Sequence, residues 1–244
     1  METIVIIGVA FALGGVLKGA TGFGAPLLAV PLLALMFDLP FAITIFSIPN
    51  ILPNLWQSWV YRKHHLPAGF AVSFALAGGL GAGIGTFLLT RTSPDLLKLV
   101  LACIILGYVG FRIYKPAWKL GLRSASRLSF PLGAAAGMLQ AAAGLSSPVA
   151  VTFLTSMHLE RRQFIATISV FFASLGVVQI PMLISYGYLD RTNVRLSGAA
   201  LLPLAAGMPL GAFLGKHISR ENFNRILLVI LTVLSVKLLL ESFG

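Results

Sequence analysis

Lys18-Gly19-Ala20-Thr21-Gly22-Phe23-Gly24-Ala25-Pro26 interrupts an apolar run of 33 residues, Ile4 to Met36. As one helix that run is about 50 Å long, against a bilayer core of about 30 Å. The same form recurs in Leu128–Met157, interrupted by Gln140-Ala141-Ala142-Ala143-Gly144-Leu145-Ser146-Ser147-Pro148. The pieces on either side of each break hold about 12–14 residues, too short to cross alone. Short apolar pieces joined by a Gly- or Ser-rich break read as re-entrant hairpins or broken helices.

Around these two regions lie six runs long enough to span a bilayer. They are Phe41–Tyr61, Gly69–Leu89, Leu96–Tyr114, Gln163–Tyr186, Val194–Leu214 and Phe223–Leu240. Only 10% of the 244 residues are charged and 57% are hydrophobic, with a mean hydropathy of +0.93. A soluble domain carries about 25% charged residues, so a soluble enzyme, a nucleic-acid-binding domain and a disordered chain are all disfavoured. The net charge of +11 sits in short gaps between apolar runs, as basic loops do in a polytopic membrane protein. Met1-Glu2-Thr3 opens the chain and no basic residue precedes Lys18, so the first run is expected to be retained rather than cleaved as a signal peptide. The single cysteine, Cys103, excludes an intramolecular disulfide, and no CxxC or HExxH pattern is present. No metal and no cofactor are expected.

The two broken regions are copies. At an offset of 122 residues, Leu17 falls on Leu139, Gly22 on Gly144, Pro26 on Pro148, Asp38 on Glu160 and Ser47 on Ser169. At an offset of 126, Gly81 falls on Gly207, Gly85 on Gly211 and Asp95 on Glu221. The fold expected is therefore all-α and polytopic, with a first repeat over 1–118, a basic cytoplasmic linker over 119–126 and a second repeat over 127–244. If each broken region is a hairpin, each repeat crosses three times and the second is inverted. Twelve basic residues then collect on one side, including Arg62, Lys63, Lys115, Lys119, Arg123 and Arg161, against five on the other, with Lys18 inside a hairpin. If each broken region crosses, the split is 10 against 7. The positive-inside rule prefers the hairpins and puts both termini outside the cytoplasm. Trp56, Trp59, Tyr61 and Trp118 fall near the basic ends, where interfacial aromatics belong.

A helix N-terminus carries unpaired N–H groups and about half a positive charge, which makes it an anion site. Pro26 and Pro148 mark where the second arm of each hairpin starts, with Gly24 and Ser146–Ser147 as caps or just before them. Two such ends, inverted, can hold one anion between them at mid-membrane. Gly19, Gly22 and Gly24 allow close backbone approach; Thr21, Ser146 and Ser147 add hydroxyls; Gln140, matched to Lys18, adds an amide. Lys18 is the one ionisable residue deep in an apolar region, and intramembrane charge is costly and usually functional. The competing reading is that it snorkels or bonds carbonyls freed at the break. Asn50 and Asn54 beside Pro49 and Pro53, and Gln179 beside Pro181, either line a pathway or satisfy a kinked backbone. Gly78, Gly79, Gly81, Gly83 and Gly85 read as helix-contact residues. All seven acids and all four histidines lie at run ends, which argues against a carboxylate relay or a sodium site. Asp38 and Glu160 are expected in loop salt bridges.

The paired breaks, GGVLKGATGFGAPLLAVP and GMLQAAAGLSSPVAV, resemble the TauE/SafE family of bacterial sulfite and organosulfonate exporters, also called TSUP transporters. The first motif, with Thr21-Gly22-Phe23-Gly24, is fairly specific; the second has Ser146-Ser147 where a glycine-rich stretch is usual. Length, repeat layout and basic loop agree over nearly the whole chain. The resemblance implies secondary transport, as export, of a small sulfur-containing anion such as sulfite, thiosulfate or sulfoacetate across the bacterial cytoplasmic membrane. The substrate-binding residues expected are Lys18, Thr21, Gly22, Phe23, Gly24, Asn50, Asn54, Gln140, Gly144, Ser146, Ser147 and Gln179. The partners are the small anion and the lipid bilayer, not nucleic acid; a homo-oligomer is compatible. The alternatives are a passive anion channel, a permease for another small organic anion, and an accessory subunit. An intramembrane enzyme lacks a His partner for the deep serines.

Overall fold

The computed structural model describes residues 2–114, 119–217 and 220–243. Among them there are helices and no strand. The elements are α1 (Glu2–Thr21), α2 (Ala25–Met36), α3 (Leu39–Val60), a 3₁₀ turn (Arg62–His64), α4 (Ala68–Arg91), α5 (Pro94–Tyr114), α6 (Leu122–Ala143), a π turn (Ser147–Val151), α7 (Thr152–Ser156), α8 (Arg161–Ser185), α9 (Arg191–His217) and α10 (Arg220–Phe243). Of these, α1, α3, α4, α5, α8 and α9 are each long and apolar enough to cross a membrane.

The expected runs correspond to helices that extend one to three residues further at most ends, because the polar caps of each helix lie outside its apolar stretch. The broken regions differ from expectation in their first arms. α1 holds 20 residues and α6 holds 22, not 12–14, since Lys18 and Gly19 continue the α1 helix. The break itself starts only at Gly22 and Gly144, where φ is +91° and +74°, a left-handed backbone that glycine adopts at little cost. The second arms are short: 12 residues in α2, and the π turn followed by α7 in the other. α2 folds back on α1, so that Gly14 faces Ala25 and Ala29. α6 already begins at Leu122, so the second part of the basic 119–126 segment is helical. Trp118 and Lys115 lie outside the described residues.

Asp38 and Glu160 act as helix caps. The Asp38 carboxylate accepts from Phe41 N at 2.6 Å. Glu160 forms a reciprocal capping box with Gln163 at the start of α8. Their partners are backbone amides of the helices they open, rather than the Arg or Lys neighbours expected from the sequence. Trp56 and Trp59 are exposed, with the Arg62 guanidinium 4.7 Å from the Trp59 ring centre, as expected of an interfacial belt.

The packing crosses between the chain's halves. α1 runs parallel to α9: Gly15 faces Leu204, Gly19 faces Met208 and Gly211 faces Val16. α6 runs parallel to α4 in the same way: Gly133 faces Phe74, Gly137 faces Gly78, and Gly81 and Gly85 face Ala134 and Met138. α3 and α8 cross antiparallel, with Ile51 against Gly176 and Gln57 against Ser169. α4 and α8 run parallel, with Ser174 bonded to Ala75 and Gly83 near Val178 and Met182. Two apolar clusters fill these contacts. One stacks Phe11 on Phe46, and the other gathers Phe70, Phe74, Phe153, Phe171 and Phe172.

In the α1–α9 and α4–α6 pairs the missing Cβ is what lets the backbones meet, as small residues do between membrane helices. At Gly211 an added Cβ would lie on the Val16 carbonyl. Gly211→Ala is therefore expected to destabilise the protein by at least about 1–3 kcal/mol, the range for overpacking. Gly198→Ala, on the same helix with nothing within 4 Å, is expected to be neutral or to stabilise by up to about 1 kcal/mol through helix propensity. Thermal unfolding in detergent checks both; equal effects would remove the close-contact account.

Candidate functional site

The first tip is built by Thr21. Its hydroxyl donates to Leu17 O at 2.8 Å and accepts from Phe23 N at 3.3 Å and Gly24 N at 3.0 Å. Gly22 N donates to Lys18 O at 2.6 Å and Leu27 N to Gly24 O at 3.1 Å. Gly24 is the N-cap of α2 and Pro26 lies in its first turn. The Phe23 ring lies 5.4 Å from the Phe164 ring of α8. A Cβ on Gly22 would meet Ile165. The tip is thus stitched together internally and seated on α8, and Thr21 has already given its only hydroxyl proton.

Lys18 lies one turn before this tip. It is 2% exposed. Among the described residues it is the one buried acidic or basic side chain. Its neighbours Gly15 and Gly19 face Leu204 and Met208, while Val16 and Ala20 lie against Gly211 and Gly215, so it sits opposite the C-terminal half of α9. Lys18 Nζ donates to Asn54 Oδ1 at 2.9 Å. Asn54 Nδ2 donates in turn to Asn50 O at 2.6 Å and Asn50 Oδ1 at 3.2 Å. One of the three ammonium protons has a partner among the described residues; an ammonium has three to give. The prolines of α3 explain its polar fittings: Pro49 has no N–H, which frees Ile45 O, and Ser197 of α9 donates to that oxygen at 2.7 Å.

The second tip is built differently. Gln140, in the place of Lys18, turns onto its own tip. Its Nε2 donates to Gly144 O at 3.0 Å and its Oε1 accepts from Ser146 N at 2.9 Å. Gln179 of α8 adds a bond from its Nε2 to Ala141 O at 3.3 Å. A Cβ on Gly144 would strike Val30 of α2. Ser146 O accepts from Val149 N and Ala150 N, opening the π turn; such turns recur at functional sites. Ser146 is the N-cap residue there, yet its hydroxyl makes no cap bond. Ser146 Oγ is wholly buried and has no hydrogen-bond partner among the described residues. An orphaned buried hydroxyl costs about 1–3 kcal/mol.

A family model described as sulfite exporter TauE/SafE matches residues 6–238 of the 244. The chain belongs to the TauE/SafE family. No curated protein and no solved structure matches it. Membership with six spanning-length helices makes it a multi-pass membrane protein of a sulfite-type anion transporter family.

In this TauE/SafE chain the expected site residues fall into two clusters. Lys18, Asn54 and Asn50 join Thr21, Gly22, Phe23 and Gly24 at the first tip. Gln140, Gly144, Ser146, Ser147 and Gln179 form the second. No hydrogen bond links the two clusters among the described residues. The cradle of free N–H groups expected from the sequence is largely occupied within the tips. Gly22, Phe23, Gly24 and Leu27 at one tip, and Gly144, Ser146, Val149 and Ala150 at the other, already have acceptors. Among the described residues, the rest of the Lys18 amine, the Asn50 Nδ2 and the hydroxyls of Ser146 and Ser147 stay uncommitted. Sequence reasoning passed over the bond from Ser169 Oγ to Gln57 Oε1, 3.3 Å, between α8 and α3. The signal for it is that Ser47 and Gln57 repeat as Ser169 and Gln179 at the 122-residue offset.

Proposed function

We propose that the protein is a secondary carrier that exports a small sulfur-containing oxyanion of the sulfite, thiosulfate or sulfoacetate class. The observation that carries this reading is Lys18: a buried basic side chain in a helix of membrane-spanning length, one turn before its break. A buried cation there is costly unless something offsets it, and an oxyanion does. The substrate lies between the two tips, with Lys18 supplying charge and Ser146 a hydroxyl proton. The transporter consists of two inverted repeats, 1–118 and 127–244, each a re-entrant hairpin followed by three crossings. The antiparallel crossing of α3 with α8 and the parallel run of α4 with α8 support this; repeats of like orientation would reverse both. Alternating access comes from one repeat moving against the other.

The test is flux of sulfite, thiosulfate, sulfoacetate and chloride in proteoliposomes. Saturable flux of at least one sulfur anion, with chloride well below it, is expected. Flux that rises without saturation up to high concentration is the result of a channel. No flux of any sulfur anion from correctly folded protein would end the substrate assignment.

A further inference from the structure

Ser169 and Gln57 close one bond across the α3–α8 crossing, and a second pair on the other side of that crossing does not. Ser47 falls on Ser169 and Gln57 on Gln179 at the 122-residue offset. In the antiparallel register, Ile51 meets Gly176 between the two pairs, and Ser47 lies opposite Gln179. All four side chains are buried. Ser169 Oγ donates to Gln57 Oε1 at 3.3 Å. Ser47 Oγ turns instead to Thr44 O on its own helix, at 2.7 Å. Gln179 Nε2 reaches Ala141 O at the second tip, at 3.3 Å. Chemically equal partners thus sit in unequal arrangements on the two sides of one crossing.

We propose that Ser47, Gln57, Ser169 and Gln179 are transport residues that position the two halves, each Ser–Gln pair holding one of the two access states. This rests on the carrier reading with inverted repeats. In such a pair, the opposite-facing state is reached when the halves exchange local arrangements. The exchanged state forms Ser47 Oγ to Gln179 Oε1 and releases Ser169 from Gln57. Both donors have a nearby backbone carbonyl to fall back on, as Ser47 does here, so neither state leaves a hydroxyl unpaired. Forming the Ser47 bond draws Gln179 from Ala141 O and so loosens the second tip as the crossing changes. No covalent chemistry is involved.

Paired cysteines test this in a Cys103→Ser background, in membranes. Ser169→Cys with Gln57→Cys reports the present state, and Ser47→Cys with Gln179→Cys the exchanged one. Oxidation is followed by mass spectrometry of the joined peptides. Both pairs are expected to cross-link, and either cross-link to stop sulfite flux until a reductant is added. Ser169→Ala, added to the 47/179 pair, is expected to raise its cross-linked fraction relative to the present state by about fivefold, the effect of one hydrogen bond. Ser169→Thr, which keeps the hydroxyl, is expected to return it. The proposal is overturned if only the 57/169 pair ever joins while flux persists, or if Ser169→Ala leaves the 47/179 yield unchanged. Cross-linking needs no substrate. Joining of both pairs without sulfite flux would therefore count against the substrate and leave the exchange in place.

Discussion

Lys18→Gln is expected to lower saturable sulfur-anion flux by about ten- to a hundredfold while leaving the protein folded. The substitution copies what the second half already carries at the matched position, Gln140. A glutamine amide retains a donor for Asn54 Oδ1, so the α1–α3 tie at 2.9 Å has a neutral replacement. What disappears is the charge. Hydrogen bonds to charged groups contribute about 1.5–3 kcal/mol, and about 1.4 kcal/mol is a factor of ten. Losing such a bond to a bound oxyanion therefore gives about one to two orders of magnitude. Flux and thermal stability are measured on the same preparation. Normal stability with lost flux places the charge on the substrate. Unchanged flux would assign Lys18 to the tie with Asn54 alone and move the site to the second tip.

Ser146→Ala should have opposite effects on the two measurements. Removing a buried hydroxyl that lacks a partner among the described residues also removes its desolvation cost, about 1–3 kcal/mol. The expected result is a melting temperature in detergent higher by at least about 2–4 °C, on the scale of chains this size. Flux should fall by about tenfold or more, since the same hydroxyl is a free donor at the second tip. The backbone bonds of the tip run through Ser146 N and O and survive the change. A lower melting temperature would show that the hydroxyl is satisfied in the resting protein, and would withdraw it from the site.

Much of this arrangement is readable in the chain. Gly22 and Gly144 mark the breaks because only a left-handed residue turns the backbone there. Pro26 and Pro148 mark the restarts because a proline lacks the N–H that a helix interior needs. The duplicated pattern exposes the matched elements. Other features are not readable from local pattern. Lys18 is consistent with helix or break, and α1 is continuous to Thr21 because α9 packs along it through Gly15 and Gly19. Thr21 reads as a donor to substrate, but its hydroxyl closes the tip, a choice set by atoms three residues away. The Ser169–Gln57 bond depends on the crossing of α3 with α8, and no window along the chain contains both residues.

The interleaving of the two halves has a consequence for biogenesis. α1 finds its closest neighbour in α9, and α6 finds its own in α4. A nascent chain that has inserted only its N-terminal half holds α1 without α9 along its glycine stripe, and Arg191, where α9 starts, is still to be synthesised. The N-terminal half therefore waits in the bilayer in an unfinished form, with Lys18 less well enclosed than in the finished protein. Severed halves should be degraded when made singly and rescued when made together. The quality-control burden of this transporter falls on the interval between the first helix and its late partner.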